Sequence, residues 1–128
     1  MSTPGSARAT GEDALDASPL HAQHYADGAA FAAAEIVENV PLARDTLRVR
    51  LAAPAIAERI TPGQFVMLRL GGCDDPLLGR AFALYDVVRD AAGDPTAIDV
   101  VYAVHGKLTS ALARRQPGDL VEVWGPLG

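Results

Sequence analysis

The sequence predicts an all-β domain with one short helix before its last strand. Between residues 34 and 128, about six short runs alternate apolar and polar side chains, as half-buried strands do. Turn signals separate these runs at roughly 8–12-residue spacing, which is typical of antiparallel sandwiches and barrels. Near Leu108 the apolar period changes to that of a helix. The pattern alone leaves open whether the strands form a sandwich or a barrel.

Length and composition allow one domain with one core. The chain has 128 residues, 49% of them hydrophobic, and a net charge of −5 from 11 basic and 16 acidic side chains. The acidic balance disfavours nucleic-acid binding, and an aromatic content of 5% disfavours an oligonucleotide-binding barrel that stacks bases. Because no run approaches ~20 apolar residues and no signal peptide is present, we expect a cytoplasmic protein without a membrane segment.

Cysteine and histidine do not indicate a metal site. Cys73 is the single cysteine, so neither a disulfide within the chain nor a multi-cysteine zinc or iron–sulfur site can form from these residues. His21 and His24 have no acidic or thiol partner at ligand spacing, so we interpret them as solvated. No metal ligands are predicted.

Residues 1–33 differ from the rest of the chain. They are rich in small and polar residues and keep neither a strand nor a helix period, so we expect a mostly disordered leader before a domain over residues 34–128. In the first strand of that domain, Ala34, Ile36 and Val40 mark one face. The other face is predicted to carry Glu35, Val37 and Asn39.

The middle strands follow from alternation between turns. Leu47, Val49 and Leu51 alternate with polar residues and predict the second strand. After the turn at Pro62-Gly63 the third strand begins, and one face of it carries Val66, Leu68 and Leu70. Residues 81–88 predict a fourth strand. Residues 96–104 predict a fifth, whose one face carries Ile98, Val100, Tyr102 and Val104.

The last elements are the helix and the sixth strand. Leu108 and Leu112 lie one helical turn apart, and Pro117-Gly118 ends the helix. The final strand is predicted over residues 120–124, and a turn is predicted over residues 125–128.

Two segments combine residues that suit a phosphate. Arg80 stands where a Pro- and Gly-containing approach enters a strand, and guanidinium holds phosphate in a fork of donors. Phe82 would share its face. The segment from Gly106 to Thr109 opens a helix, where backbone N–H groups favour anions. On the residues alone, an alternative interpretation stays open, in which Arg80 is a surface arginine before the core aromatic Phe82, and Gly106 and Thr109 are a turn and part of a helix cap.

Four motifs in order resemble the ferredoxin–NADP reductase superfamily. They are Pro62-Gly-Gln-Phe65, the flavin motif at Arg80-Ala-Phe-Ala83, the pyrophosphate-facing Gly106-Lys-Leu-Thr109, and the domain close at Pro117-Gly-Asp with Gly125-Pro-Leu-Gly128. Within the superfamily, the nearest resemblance is to the dihydroorotate dehydrogenase electron-transfer subunits of pyrimidine biosynthesis. The Gln-Phe-Val-Met-Leu run and the Asp-Pro-Leu-Leu approach to Arg80 carry that resemblance.

The resemblance implies a six-stranded antiparallel Greek-key barrel with FAD bound along its outside. Arg80 would hold the FAD phosphates, and Phe82 would pack beside the flavin. The remaining implied cofactor-binding residues are Ala81 within the flavin motif, Ala83 and Leu84 at the isoalloxazine, Tyr102 and Val104 along the ribityl and adenine side, and Gly106, Lys107 and Thr109 at the pyrophosphate.

Two departures from the family pattern bear on function. Ala83 replaces the motif's Ser or Thr and Phe82 its tyrosine, so two hydroxyls near the flavin are missing. The family's nicotinamide domain and the cysteine cluster for a [2Fe–2S] centre follow the domain close in the relatives and lie outside these 128 residues. NAD(P)H is therefore expected to act only through a domain beyond this chain.

The sequence therefore predicts the FAD-binding module of an electron-transfer oxidoreductase. It would pass electrons between a nicotinamide domain and a catalytic dehydrogenase subunit or another redox partner, with the chemistry carried by the flavin. The alternative is a non-catalytic β-barrel interaction module that has lost flavin.

Overall fold

The computed structural model describes residues 29–70 and 79–128. The described residues form seven strands and two short helices. In chain order they are β1 (Ala30–Ala43), β2 (Thr46–Ala52), α1 (Pro54–Ala57), β3 (Phe65–Arg69), β4 (Arg80–Ala83), β5 (Asp86–Arg89), β6 (Pro95–Ala103), α2 (Lys107–Ala113) and β7 (Leu120–Leu127).

Part of what the sequence predicts lies outside the described residues. The strand β1 already begins at Ala30, so Ala30–Ala33 of the range expected as leader belong to the sheet. The predictions that fall outside the description concern the leader up to residue 28, His21, His24, Cys73 and the approach to the flavin motif over residues 75–78.

All strands join one antiparallel sheet in the order β4-β3-β7-β1-β2-β6-β5. The last strand, β7, returns to lie between β1 and β3. The 14-residue β1 pairs with β7 through its first half and with β2 through its second. This long strand therefore serves two neighbours and forms the centre of the sheet.

The two edge strands of the sheet are consecutive in the chain. Only Leu84 and Tyr85 separate β4 from β5, so the two edges lie within a few residues of each other and the sheet curls back on itself. The Leu84 N–H donates to the Gln64 carbonyl at 3.1 Å on one side, and the Tyr85 N–H donates to the Asp99 carbonyl at 2.9 Å on the other. These two residues link both edges.

The predicted all-β antiparallel fold with a short helix before the last strand is confirmed. The described residues form seven strands where six were predicted, because the single strand predicted over residues 81–88 changes partner at Leu84. Its first half pairs with β3 and its second with β6. Alternation within a segment does not reveal such an exchange of neighbours, since both halves stay extended.

The core contains the faces that alternation predicted. Val49 and Leu51 of β2 are buried, as are the inner residues of β3 and β6. On α2, Leu108 and Leu112 are buried against the sheet. The members of this core from the middle strands are Val66, Leu68, Leu70, Ile98, Val100 and Tyr102.

The predicted faces of β1 hold only for its first half. Ala34 and Ile36 are buried and Val37 is exposed, as expected. The register then shifts between Ile36 and Glu38. Because a bulge moves the following residues to the other face, Asn39 turns towards α2 and does not continue the outer face as predicted.

Neither helix in the described ranges is long and apolar enough to cross a membrane.

Candidate functional site

The two predicted phosphate segments meet at the start of β4. Arg80 is exposed, and its Nη1 donates to the His105 carbonyl at 3.1 Å. A Cβ built on Gly106 would lie 3.8 Å from the same Nη1 atom. Arg80 therefore lies against the loop that leads into α2, which is the juxtaposition that the motif order predicts.

The backbone of this loop requires glycine. Gly106 has a φ of 92°, in the region that L side chains rarely adopt, and it is the N-cap of α2. The Ser110 N–H then donates to the Gly106 carbonyl at 3.1 Å and closes the first turn. A larger residue at this position would strain the loop beside the guanidinium of Arg80.

Thr109 holds the loop from inside. Its side chain is buried, and its hydroxyl accepts a hydrogen bond from the His105 N–H at 2.6 Å. The same hydroxyl lies 3.5 Å from the Gly106 carbonyl. The hydroxyl that the resemblance assigns to the pyrophosphate is thus bonded to the loop backbone, and it fixes the loop on which Arg80 rests.

A cationic groove of about 410 Å³ opens beside Gly106. It is lined by one face of α2, where Lys107 and Arg114 supply charge and Ser110 a hydroxyl. Sequence reasoning included Lys107 but missed Ser110 and Arg114. Ser110 and Arg114 follow Lys107 at successive helical turns, so the three residues share one side of the helix. This spacing could have indicated them in the sequence.

Phe82 lies mostly in the core. Its side chain is 8% exposed, and its ring meets that of Tyr102 edge-to-face at a centroid distance of 6.3 Å. Ala81 and Ala83 are exposed on the other face of β4. The sequence left open whether Phe82 is a core aromatic or packs beside a ligand. Most of the Phe82 side chain is buried in the core.

Tyr102 also points inwards. It is 3% exposed, and its hydroxyl donates to Oδ1 of Asn39 at 2.9 Å. Burial raises the pKa of the Tyr102 hydroxyl above its ordinary value, although the hydrogen bond to Asn39 opposes that rise. Val104, two residues later, is half-buried, and its N–H donates to the Asp45 carbonyl at 2.8 Å.

The flavin-motif strand β4 is an edge strand. Among the described strands it pairs with β3 alone, so none of them takes the backbone groups on its outer side. Ala81 and Ala83 add only methyl groups there. Leu84 is half-buried, and its N–H is already bonded to the Gln64 carbonyl.

The first and last motifs also come together. The Gln64 side chain donates to the Gly128 carbonyl at 3.2 Å and accepts from the Thr61 N–H at 2.9 Å. A Cβ on Gly128 would lie 3.2 Å from the Phe65 ring. The turn at residues 62–65 and the domain close therefore form one corner next to the junction of β4 and β5.

An ion pair that the sequence did not indicate lies on the outer side of β2 and β6. Arg50 bonds Asp99 through two parallel contacts, Nε to Oδ1 at 2.8 Å and Nη2 to Oδ2 at 3.0 Å. Asp99 is almost fully buried although it lies in an apolar strand. A single carboxylate within such a run was the signal that could have found the pair.

An apolar stripe crosses the outer face of four strands. Trp124 of β7 is paired in register with Phe31 of β1 and with Met67 of β3, which in turn faces Ala81 of β4. Phe31 is 65% and Trp124 44% exposed. A cavity of about 250 Å³ lies beside them, and the ion pair of Arg69 with Glu122 borders it. Sequence reasoning missed this surface.

Metal ligands do not cluster in the part of the chain that the structure describes, since no three His, Cys, Asp or Glu side chains there come close enough to hold an ion.

A family model described as an oxidoreductase FAD-binding domain matches residues 33–128.

Two curated relatives are electron transfer subunits of dihydroorotate dehydrogenase B (NAD(+)). That of Desulforamulus reducens is 36% identical over 95 residues, which cover 74% of this chain and 35% of the relative. That of Geobacillus thermodenitrificans is 33% identical over 93 residues, which cover 73% of this chain and 35% of the relative. The chain thus spans about a third of the length of these relatives.

Solved structures of reductases share the fold. The NADH-dependent reduced ferredoxin-NADP oxidoreductase superposes with a TM-score of 0.59 at 31% identity, over 76% of this chain and 33% of that chain. The ferredoxin reductase in carbazole 1,9a-dioxygenase superposes with a TM-score of 0.66 over 78% of this chain and 30% of that chain. Its identity of 22% supports likeness of fold alone.

Proposed function

Since the chain belongs to the oxidoreductase FAD-binding domain family, we propose that it binds FAD where Arg80 meets Gly106 and serves as a component of a flavin-dependent electron-transfer enzyme. The observation that carries the proposal is the contact between the β4 arginine and the loop before α2. Two segments that are far apart in sequence supply a fork of donors and a glycine backbone at one place.

Arg80 is the proposed phosphate anchor. Its bond to the His105 carbonyl uses one of the five N–H donors of a guanidinium and orients the plane of the group. The remaining donors suit two oxygens of a pyrophosphate. Gly106 lets the backbone approach the same phosphate closely, and Lys107 adds a charge at the edge of the groove.

The flavin ring is proposed to lie along the exposed side of β4. The small side chains of Ala81 and Ala83 permit close approach of a flat ring. The outer backbone edge of β4, which no other described strand pairs, supplies hydrogen-bonding groups in place of the hydroxyl that Ala83 lacks. Phe82 supports the strand from the core and offers only its exposed margin. When bound, the flavin supplies the redox chemistry; these residues hold and orient it.

The partners are proposed from the relatives. Those relatives are electron transfer subunits of an NAD(+)-linked dehydrogenase, and this chain spans about a third of their length. We therefore propose that a nicotinamide-binding part and a catalytic dehydrogenase subunit, or another redox partner, complete the electron path. The [2Fe–2S] centre and the cytoplasmic location remain predictions of the sequence.

Titration with FAD tests the function. We expect the purified chain to quench or shift FAD fluorescence with saturation, and its melting temperature to rise with FAD concentration by ligand linkage. Riboflavin, which lacks the phosphates, should bind far more weakly, and ADP should compete with FAD. A folded chain that takes up no FAD and shows no thermal shift would contradict the proposal and favour a non-catalytic interaction module.

A further inference from the structure

One amide side chain connects helix α2 to the sheet. Nδ2 of Asn39, on β1, donates to the Leu112 carbonyl at 2.9 Å and to the Arg115 carbonyl at 3.0 Å. Its Oδ1 accepts the hydrogen bond from the Tyr102 hydroxyl at 2.9 Å. Both donors and the acceptor of the amide are therefore engaged, and they reach two separate parts of the chain, the C-terminal end of α2 and β6.

The helix depends on such contacts for its position. With seven residues, α2 is too short to be stable by itself, and the carbonyls at its C-terminal end have no partner within the helix. Asn39 satisfies two carbonyls at that end from a strand more than 70 residues earlier in the chain. The bulge after Ile36 is what turns Asn39 towards the helix.

The other arm of the amide leads to the flavin-motif strand. Tyr102, which bonds Asn39, packs edge-to-face against Phe82. Phe82 lies two residues after Arg80 on β4. A continuous set of contacts thus runs from the end of α2 through Asn39, Tyr102 and Phe82 to the strand that carries Arg80.

We infer that Asn39 is a positioning residue for the proposed FAD site. By fixing α2 against the strands, it sets where Gly106 and Lys107 stand relative to the guanidinium of Arg80. The inference rests on the proposed function. It assigns a role in that function to Asn39, which lies outside the four family motifs. On this view Tyr102 acts in the same way, through its hydroxyl, and does not line the cofactor.

The chemistry of an amide is what the position requires. Leucine has the same branched arrangement of four side-chain heavy atoms but can neither donate nor accept, so Asn39→Leu removes one donor from each of the two carbonyls and the acceptor of the Tyr102 hydroxyl at no change in charge. Tyr102→Phe removes only the hydroxyl and keeps the ring contact with Phe82. It therefore tests the hydrogen-bonded arm separately from packing.

The experiment compares ligand affinity at matched stability. FAD, ADP and riboflavin are titrated into the wild-type chain, Asn39→Leu and Tyr102→Phe. The control is a conservative substitution of Ile56, a buried residue of α1 outside this set of contacts. Ile56→Val or Ile56→Ala is chosen so that the control loses as much free energy of unfolding as Asn39→Leu does, measured by urea denaturation.

We expect Asn39→Leu to weaken FAD and ADP binding by roughly 10-fold, and Tyr102→Phe by about threefold, because the phosphate-facing loop loses its fixed position. Riboflavin affinity and the visible spectrum of bound FAD should stay as in the wild type, since the ring half of the site is on β4. The Ile56 control should change FAD and ADP affinity less than about twofold.

Two results overturn the inference in different ways. If Asn39→Leu and the Ile56 control affect FAD and ADP equally at matched stability, Asn39 is structural only and the proposed FAD site stands. If the folded wild-type chain binds neither FAD nor ADP, the proposed function fails and the positioning role fails with it.

Discussion

Arg50 and Arg80 carry the same side chain but have opposite surroundings. Arg50 is held by the carboxylate of Asp99 through two charged contacts, at 2.8 and 3.0 Å, and the Asp99 side chain is 4% exposed. Arg80 donates to one neutral carbonyl, that of His105, at the exposed end of β4. Among the residues that the structure describes, a carboxylate neutralises the charge of Arg50, whereas the hydrogen bond of Arg80 to the His105 carbonyl orients its charge without neutralising it.

The comparison separates structural from ligand-binding arginines. The hydrogen bonds that Arg50 donates to Asp99 raise the pKa of the Arg50 guanidinium, and desolvation opposes that rise. An arginine that is paired with a carboxylate forms an ion pair of nearly zero net charge, which attracts an anion only weakly. An arginine matched only by a backbone carbonyl keeps its charge and most of its donors, which is the state in which guanidinium binds phosphate.

The largest expected effect is that of Arg80→Ala on FAD affinity. Loss of the charged donors should weaken FAD binding by roughly 10- to 100-fold, as measured by fluorescence titration. The unfolding free energy should stay within about 0.5 kcal/mol of the wild type, because the lost bond is exposed. Arg89→Ala, on the β5–β6 hairpin, is the matched control and should leave FAD affinity unchanged. Equal losses of FAD affinity in Arg80→Ala and Arg89→Ala would contradict a specific role of Arg80 in binding the ligand.

The converse prediction concerns Asp99→Asn. Removing the carboxylate charge leaves Arg50 poorly matched at a partly buried site, so urea denaturation should show a loss of about 1–2 kcal/mol of stability. FAD affinity, measured where the variant is fully folded, should change by less than about twofold. A strong loss of FAD affinity at normal stability would place Arg50 and Asp99 in the ligand site.

Lys107→Ala should have a smaller effect than Arg80→Ala. The ammonium is a compact point charge on an exposed part of the groove, where solvent and salt screen it, so FAD affinity should fall only about two- to fivefold. The difference in FAD affinity between the Lys107→Ala and Arg80→Ala variants should narrow as salt is added. Equal effects of the two substitutions would contradict the anchoring role of Arg80.

The smallest effect is an alkaline loss of stability at Tyr102. Burial raises the pKa of its hydroxyl in the folded chain, so above pH ~10 the unfolded chain releases this proton before the folded one does. Stability should therefore be unaffected below that pH and fall as pH rises further. Tyr102→Phe should show a shallower fall in urea denaturation. Identical pH profiles would show that this hydroxyl does not contribute.

Much of the fold was predictable because alternation is a local property. Each buried face of β2, β3 and β6 follows from side chains that alternate along one strand. The helix was visible from Leu108 and Leu112 in the same way. The meeting of Arg80 with Gly106 is not local, and it was predicted from the order of motifs shared with a family.

What the sequence could not predict depends on distant partners. The break at Leu84 arises because the two halves of one extended segment pair with opposite edges of the sheet. Asn39 lies on the other face of β1 because of a bulge, and the residues next to it in the sequence do not indicate that bulge. Its hydrogen-bond partners at the end of α2 are distant in sequence. The sequence suggests that the Thr109 hydroxyl could bind a ligand, whereas in the fold this hydroxyl accepts a hydrogen bond from the loop backbone.

The most direct test of the account is a two-dimensional NMR titration of the isotope-labelled chain with FAD, which reports both arginines at once. The side-chain Nε signal of Arg80 and the amide signals of Gly106–Ser110 should shift with saturation, while the Nε signal of Arg50 and the amide of Asp99 stay in place. Shifts centred on Arg50 and Asp99, or none at Arg80 while FAD binds, would contradict the proposal that FAD binds at the junction of Arg80 and Gly106.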